Sequence, residues 1–254
     1  MKNAVVVGAT TQVGFALCQE LMNHEVEVTG FEWSEKMDER ADEMLMGIGR
    51  NAFFHLQLDQ PLENNADIAF YFIDRIERLD QTNEEAYFSI AEKAKKLVII
   101  SSYHNYRKNI DFTNKLKKKQ KDEANCLSIY LPMVVGPWQG KEEAVHRRLQ
   151  AEMDEKERQP IAIQDTDVLY VEDVVKAIYE LSNTEGQEKV VRLKNENPEA
   201  LKELMDVLHF TLLADANPDG EWDKVTVYKV RQSLTMKESL QAQRKQMRQK
   251  LRLD

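Results

Sequence analysis

The sequence predicts an α/β protein with a doubly wound parallel sheet and a small carboxyl-terminal α+β lobe. Three observations predict this fold class. Short apolar runs rich in β-branched residues recur between residues 4 and 131, and each has the length of a buried strand. Stretches with helical apolar spacing separate these runs. The connections are too long for hairpins and long enough for the helical crossovers that parallel strands require.

The elements follow one another at regular spacing. The first predicted strand is Ala4-Val-Val-Val-Gly8, and the helix after it has an apolar stripe that includes Val13, Leu17 and Leu21. Further strands are predicted at 26–31, 53–58, 67–73, 97–102 and 127–131, and helices at 34–46, 84–96 and around the lysine run 115–121. This alternation predicts a Rossmann sheet built from βαβ units.

Beyond Pro132 the alternation becomes less regular. Helices are predicted at 142–159, 171–181, 198–213 and 233–253, and short strands at 161–163, 190–193 and 225–230. We therefore predict a Rossmann domain formed by residues 1–135 and 160–185. Residues 136–159 and 186–254 are predicted to form a smaller substrate or partner lobe near the carboxyl ends of the strands, where open α/β sheets bind ligands.

The composition excludes several classes of protein. The chain has 254 residues and a net charge of −9, which argues against a nucleic-acid partner because phosphate backbones attract clustered cations. No Cys/His cluster with metal-ligand spacing occurs in the sequence, so no metal site is predicted. Cys18 and Cys126 lie in apolar segments and are predicted to be buried free thiols in a reducing compartment.

No apolar run in the sequence approaches membrane-spanning length, and no signal peptide precedes the first strand. We therefore expect a cytoplasmic protein without a membrane partner. The final predicted helix is amphipathic and basic. It is expected to pack on its own chain, and docking on a second subunit of a homodimer is the next alternative.

The turn after the first strand, VVVGATTQVG, has the form of a phosphate-binding turn that lacks one glycine. Gly8 permits the tight turn and Gly14 permits close packing of helix on strand, but Thr11 occupies the position of the middle glycine. Its side chain takes up volume that a pyrophosphate would use, yet its hydroxyl can itself donate to a phosphate oxygen. The residues predicted to contact the phosphates are Gly8, Thr10, Thr11, Gln12, Val13 and Gly14.

The second predicted strand is followed by Glu32. A carboxylate at this position accepts hydrogen bonds from an adenosine ribose and disfavours a 2′-phosphate, so NAD is favoured over NADP. Asp59, after the third strand, completes the predicted cofactor-binding set. The alternative is that the glycines only form a tight βα turn, that Glu32 caps the next helix or is solvated, and that no cofactor is bound.

Several segments together resemble the extended short-chain dehydrogenase/reductase superfamily, of the NAD-dependent epimerase/dehydratase type. The resemblance covers roughly residues 2–210. The segments that carry it are VGAT with Gly14, NADIAF at 65–70, LVIISSYHNY at 97–106, LPMVVGPW at 131–138, VLYVEDVVKAI at 168–178, and residues 197–208. The resemblance implies NAD as cofactor, and a sugar nucleotide or another hydroxyl or carbonyl metabolite as substrate.

In that family a serine, a tyrosine and a lysine four residues after the tyrosine carry out the chemistry. The tyrosine is the general acid–base, and the lysine lowers its pKa and holds the nicotinamide ribose. By position, Ser102 matches the serine that orients the substrate oxygen and Lys115 matches the lysine. Asp111 stands where the tyrosine is expected, so Tyr106 or Tyr103 would have to supply the phenol.

Two departures from the family pattern bear on catalysis. An aspartate ionises near pH ~3.9 and a tyrosine near ~10, so Asp111 is a poor substitute for the proton donor at neutral pH. We predict that Asp111 instead caps a helix that begins at Phe112. Phe72 and Ile73 stand where the family has small residues beside the nicotinamide, and are predicted to narrow or fill that space.

Two functions therefore remain open. In the first, the chain is an NAD-binding oxidoreductase or epimerase with a non-standard active site and an unknown small-molecule substrate. In the second, it is an inactive relative that binds a nucleotide, or nothing, and acts as a sensor or assembly partner. The sequence by itself does not decide whether the protein is an enzyme.

Overall fold

The computed structural model describes residues 1–60, 62, 64–76, 81–120, 125–156, 160–184, 189–213 and 225–250. The strands described there are β1 (Asn3–Val7), β2 (Glu27–Glu32), β3 (Phe54–Leu58), β4 (Ala66–Phe72), β5 (Ala94–Ser102), β6 (Cys126–Leu131), β7 (Met133–Val135), β8 (Ile161–Ile163), β9 (Val168–Tyr170), β10 (Val190–Asn195), β11 (Phe210–Leu212) and β12 (Thr226–Val230). The α-helices described are α1 (Gln12–Asn23), α2 (Glu39–Ile48), α3 (Gln81–Lys93), α4 (Tyr106–Lys119), α5 (Ala144–Met153), α6 (Val171–Asn183), α7 (Ala200–Leu208) and α8 (Met236–Lys250).

The main sheet has the strand order β12-β10-β6-β5-β4-β1-β2-β3. β1 pairs in parallel with both β2 and β4, β2 pairs in parallel with β3, and β4 pairs in parallel with β5. The chain crosses from β3 at one edge over β1 to β4, so the direction of strand addition reverses between β1 and β4. This reversal is the switch point at which open α/β sheets bind ligands, beyond the carboxyl ends of the strands.

The chain divides into two compact units. Unit 1 consists of Met1–Tyr130 and Val175–Val191, and therefore contains β1 to β5 and most of β6. Unit 2 consists of Leu131–Val174 and Arg192–Asp254. Unit 2 contains two small parallel pairs of strands, β7 with β9 and β8 with β11.

The core of unit 1 explains why its strands are continuous apolar runs. Every residue of β6 is buried, as is every residue of β4 except Asp67, because the sheet is covered on both faces. One buried cluster joins the sheet to α3 and α4 through aromatic rings. Tyr87 packs edge-on against Phe31 and Trp33 at centroid distances of 6.0 and 5.8 Å, and its hydroxyl accepts a hydrogen bond from the Trp33 indole.

Several element boundaries differ from the sequence prediction, and three of them have a clear local description. α4 begins at Tyr106, so Asp111 lies inside the helix and the prediction that it caps the helix is wrong. α2 begins at Glu39 rather than near residue 34, because the Asp38 side chain accepts a hydrogen bond from the Ala41 N–H and caps it. α7 ends at Leu208, because His209 adopts a left-handed conformation, with φ of 54°, and the chain continues as β11.

Cys18 and Cys126 are buried free thiols, as predicted. Among the described helices, none combines the length and apolar character that crossing a membrane requires. Within the described ranges, no group of three or more His, Cys, Asp or Glu side chains is placed to hold a metal ion.

Candidate functional site

The turn between β1 and α1 depends on both of its glycines. Gly8 has a φ of +86°, a conformation that side chains strongly disfavour. A Cβ placed at Gly14 would lie 2.1 Å from the Gly8 carbonyl oxygen and 2.6 Å from Thr11 Oγ1. The turn therefore brings its own backbone segments into contact, and this contact requires glycine whether or not a ligand is present.

Thr11 acts as the N-cap of α1. Its φ of −75° and ψ of 159° are extended, so it takes the middle-glycine position without backbone strain. The hydroxyl donates to the Gly8 carbonyl oxygen at 2.8 Å and accepts from the Gly14 N–H at 3.0 Å. Thr11 therefore satisfies one of the first amides of the helix and fixes the turn from within.

The cap gives a prediction for Thr11. We expect Thr11→Ala to lower the free energy of unfolding by about 1 kcal/mol, because the Gly14 N–H loses its acceptor. Thr11→Ser keeps the hydroxyl and is expected to retain most of the stability. Urea denaturation of the two variants beside the wild type measures the difference, and equal midpoints for wild type and Thr11→Ala would contradict the capping role.

The Glu32 side chain joins the end of β2 to this turn. Glu32 is 4% exposed, and its Oε1 accepts both the Thr10 N–H and the Thr10 hydroxyl at 2.6 Å. None of the hydrogen bonds found in the described part of the chain uses Glu32 Oε2. Burial and, after it, the negative charge of Glu32 raise the pKa of the Cys18 thiol on α1. The carboxylate is therefore held by one oxygen, and the second remains available as an acceptor.

Two further side chains hold the surrounding loops. Arg40 on α2 donates through Nη2 to the Thr10 carbonyl oxygen at 3.2 Å. Asp59 follows β3 with a φ of 59°, and its Oδ1 accepts from the Ser34 N–H at 2.8 Å. Hydrogen bonding from Ser34, first from its side chain and then from its N–H, lowers the pKa of the Asp59 carboxyl. Asp59 thus ties the end of β3 to the short 3₁₀ turn that follows β2, at Ser34–Lys36.

Phe72 and Ile73 take different positions after β4. Phe72 lies beside the glycine turn, where a Cβ at Gly8 would be 3.0 Å from the Phe72 Cβ. Ile73 is 2% exposed and belongs to the core cluster that contains Val7 and Ile99. Of the two residues, Phe72 is therefore the one that packs against the predicted phosphate turn.

A polar cluster lies where β4 and β5 end. Asp74 Oδ1 accepts from Ser101 Oγ at 2.6 Å and from Asn109 Nδ2 at 2.9 Å, and its Oδ2 accepts from the Ser102 N–H at 2.7 Å. The carboxylate joins the 3₁₀ turn after β4 to the end of β5 and to α4. Ser102, predicted as the serine that orients the substrate, therefore contacts a carboxylate through its backbone.

Asp74 is a residue that the sequence analysis did not assign to the site. The available signal was the presence of polar residues directly after two neighbouring strands, Asp74 after β4 and the serine pair at the end of β5. Parallel neighbours end at the same edge of a sheet, so such residues meet there.

The residues predicted to perform proton chemistry lie on α4 and on the 3₁₀ turn before it, at Tyr103–Asn105. Lys115 Nζ lies 2.5 Å from Glu84 Oε1 on α3, with 58% of the lysine side chain exposed. Asp111 is exposed on α4. Tyr103 is buried in the 3₁₀ turn after β5, and the side chain of Tyr106 lies outside the described residues. Lys115 is therefore paired with an acidic residue of the neighbouring helix.

No protein-family model and no curated protein sequence matches this chain. Solved structures match it over nearly its full length. The UDP-glucuronic acid 4-epimerase from Bacillus cereus, solved with UDP-glucuronic acid and NAD, is 13% identical over 97% of this chain and 99% of that chain, with a TM-score of 0.69. The Bordetella bronchiseptica enzyme WbmH, in complex with NAD⁺, is 10% identical over 98% and 99%, with a TM-score of 0.68.

A third match is the dTDP-glucose 4,6-dehydratase from Bacillus anthracis, solved in complex with NAD. It is 10% identical over 98% of this chain and 97% of that chain, with a TM-score of 0.65. The protein has the fold of the NAD-dependent epimerases and dehydratases. The predicted epimerase/dehydratase-type fold, with its doubly wound parallel sheet and small lobe, is thereby confirmed.

Within the epimerase/dehydratase fold, the glycine turn, Glu32 and the Asp74 cluster all belong to unit 1. The turn lies between β1 and α1, next to the switch point of the sheet. The arrangement offers a helix amino terminus for an anion and a buried carboxylate for a hydroxyl donor.

Proposed function

We propose that the protein binds NAD at the head of α1, with the adenosine ribose hydrogen-bonded to Glu32. The observation that carries this proposal is the geometry of the carboxylate. Oε1 is fixed by the two donors of Thr10, and Oε2 is left as an acceptor at the carboxyl end of β2. A carboxylate whose orientation is already fixed binds a ribose hydroxyl without losing further side-chain entropy.

Further observations support a dinucleotide at this turn. The amino terminus of α1 has the positive dipole end that attracts phosphate, and Gly8 is in the positive-φ conformation that such turns use. A negative charge at Glu32 opposes the 2′-phosphate of NADP, which favours NAD. The solved structures of this fold named above contain NAD.

The test of NAD binding is a thermal-shift and calorimetric titration of the full chain with NAD and NADP. A ligand that binds only the folded state raises the melting temperature, so NAD is expected to raise Tm by roughly 5 °C at a hundredfold excess over Kd. NADP is expected to give a smaller shift at the same concentration. The absence of any shift or heat at millimolar NAD would remove the proposal.

We propose that the NAD-bound protein is an atypical oxidoreductase or epimerase. Its substrate would be a hydroxyl or carbonyl metabolite such as a sugar nucleotide. Bound NAD would supply hydride transfer. Ser102 would orient the substrate oxygen, Tyr106 would act as the acid–base, and Lys115 would hold the cofactor ribose. Because Lys115 is ion-paired with Glu84, this role requires the pair to separate when the cofactor binds.

A second candidate function is a catalytically inactive NAD sensor or scaffold. The observations that favour it are the Lys115–Glu84 ion pair and the aspartate at position 111, exposed inside α4 where the family has tyrosine. The discriminating measurement is NADH formation or consumption, and epimer formation, across panels of sugar nucleotides and carbonyl compounds. Binding of NAD without any turnover favours the sensor, and turnover that is lost in Ser102→Ala favours the enzyme.

A further inference from the structure

Arg148 is a fully buried cation in the core of unit 2. It lies on α5, between Val145 and Leu149, and its side chain is 2% exposed. The residues around it are apolar members of one cluster, which joins α5 to β8, β11, α7 and α8. Its neighbour Arg147 is exposed on the same helix. Of these two neighbouring arginines, Arg148 is therefore the one whose side chain lies inside the unit.

The described part of the chain provides no anionic partner for this guanidinium. Its Nε is enclosed without a hydrogen-bond partner. Among the described residues, the contact made by the charged group is with the ring of Phe210, at 5.6 Å from the centroid. Glu152, one helical turn further along α5 and the natural partner of Arg148, instead binds Arg244 Nη2 at 2.8 Å.

Burial of the charged Arg148 guanidinium is favourable only if an anion compensates the loss of its hydration. Arginine keeps its proton in proteins, so the guanidinium remains charged when it is buried. The free energy lost when an ion is removed from water is larger than the stabilisation that one cation–π contact provides. A buried arginine of this kind is therefore retained at the expense of stability unless an anion reaches it.

We propose that Arg148 anchors an oxyanion-binding site in unit 2, which takes the phosphate or carboxylate group of a small ligand. The planar fork of the guanidinium presents parallel N–H groups, and these match two oxygens of such an anion. The Phe210 ring lies against the guanidinium and restricts its orientation. The expected complex is a bidentate pair, formed within an otherwise apolar surrounding that strengthens it.

A groove on α8 adds positive charge to the same unit. Its volume is about 540 Å³, and the side chains that line it are Gln241, Arg244, Lys245, Arg248 and Gln249. The Arg244–Glu152 ion pair connects this helix to α5, the helix that carries Arg148. Clustered cations raise the local concentration of anions, so α8 adds to the attraction of anions to unit 2.

The test compares wild type, Arg148→Met and Arg147→Met by thermal shift in potassium phosphate, potassium acetate and potassium chloride at equal ionic strength. For wild type and Arg147→Met, phosphate or acetate is expected to raise Tm by roughly 5 °C at a hundredfold excess over Kd. Arg148→Met is expected to show no specific increase. A response to acetate without phosphate identifies a carboxylate ligand, and the reverse identifies a phosphate.

Two further measurements keep the proposal testable. In chloride alone, Arg148→Met is expected to melt at or above the wild-type temperature, because an apolar side chain replaces an uncompensated charge. If that variant does not fold, Arg148→Lys keeps the charge without the fork and is expected to weaken phosphate or acetate binding at least tenfold. The proposal is overturned by equal anion responses in wild type and either Arg148 variant, or by no response in wild type.

This site and the proposed NAD site are tested separately. Phosphate and acetate carry no adenosine, and Glu32 lies in unit 1 whereas Arg148 lies in unit 2. Loss of the NAD shift with retention of the Arg148-dependent anion shift would therefore refute the cofactor proposal alone.

Discussion

Replacing Gly14 with alanine is expected to lower the free energy of unfolding by roughly 3 kcal/mol or more. The added Cβ would lie 2.1 Å from the Gly8 carbonyl oxygen, which is a backbone atom and cannot rotate away as a side chain can. The helix must therefore move away from β1, which disrupts the Thr11 cap and the packing of α1 on the sheet. Urea denaturation followed by circular dichroism measures the loss.

Gly47 on α2 provides the matched control. A Cβ at Gly47 meets no atom within 4 Å, and the residue lies inside a helix. Gly47→Ala is therefore expected to stabilise the protein by about 0.5–1 kcal/mol, because alanine has the higher helix propensity. Equal effects of the two substitutions would show that the contact between Gly14 and Gly8 does not limit the packing of α1.

The second large effect is expected at Glu32. Glu32→Ala removes the acceptor of the buried Thr10 N–H and hydroxyl, and is expected to cost about 3 kcal/mol of stability. Glu32→Gln keeps an acceptor oxygen but removes the charge. If Glu32 binds the ribose, Glu32→Gln is expected to bind NAD at least tenfold more weakly, because the ribose loses a charged hydrogen-bond acceptor. The variant is also expected to lose the preference for NAD over NADP, because the charge that repels the 2′-phosphate is gone.

Glu27 serves as the control for both Glu32 substitutions. It lies at the exposed start of β2, on the same strand as Glu32. Glu27→Gln is expected to leave both the unfolding midpoint and the ratio of NAD to NADP affinities unchanged. If Glu32→Gln also leaves that ratio unchanged while wild type binds NAD, then Glu32 does not contact the ribose and the carboxylate only holds the turn.

The strands and helices of unit 1 could be predicted because their signals are local. β1 ends in a run of three valines, and the change to helical spacing from Val13 marks α1. The start of α4 was not predictable in the same way. Asn105 and Asp111 are both residue types that commonly cap helices. Asn105 occupies the N-cap position without a side-chain cap bond, and Asp111 lies inside the helix, so residue type alone does not mark the start.

The burial of Arg148 follows from the phase of its helix. Helical phase places it on the same stripe as Val145 and Leu149, whereas Arg147 lies outside that stripe. The sequence predicts a helix at 142–159, and the composition of that segment does not separate the two arginines. The burial of one of them becomes evident only when the phase of the helix is compared with the apolar stripe.

The sequence by itself determined the alternation of strands and helices, the parallel sheet and the two glycines of its first turn, because apolar periodicity and turn chemistry act over a few neighbouring residues. Only the tertiary structure decided that one oxygen of Glu32 accepts hydrogen bonds from Thr10, and that the Asp74 carboxylate accepts one from the Ser102 N–H at the end of β5. It also decided that Arg148 lies over Phe210 without a carboxylate partner in the described part of the chain. These contacts join residues far apart in the chain. They depend on strand register, helix phase and side-chain rotamers together, and no local pattern encodes that combination.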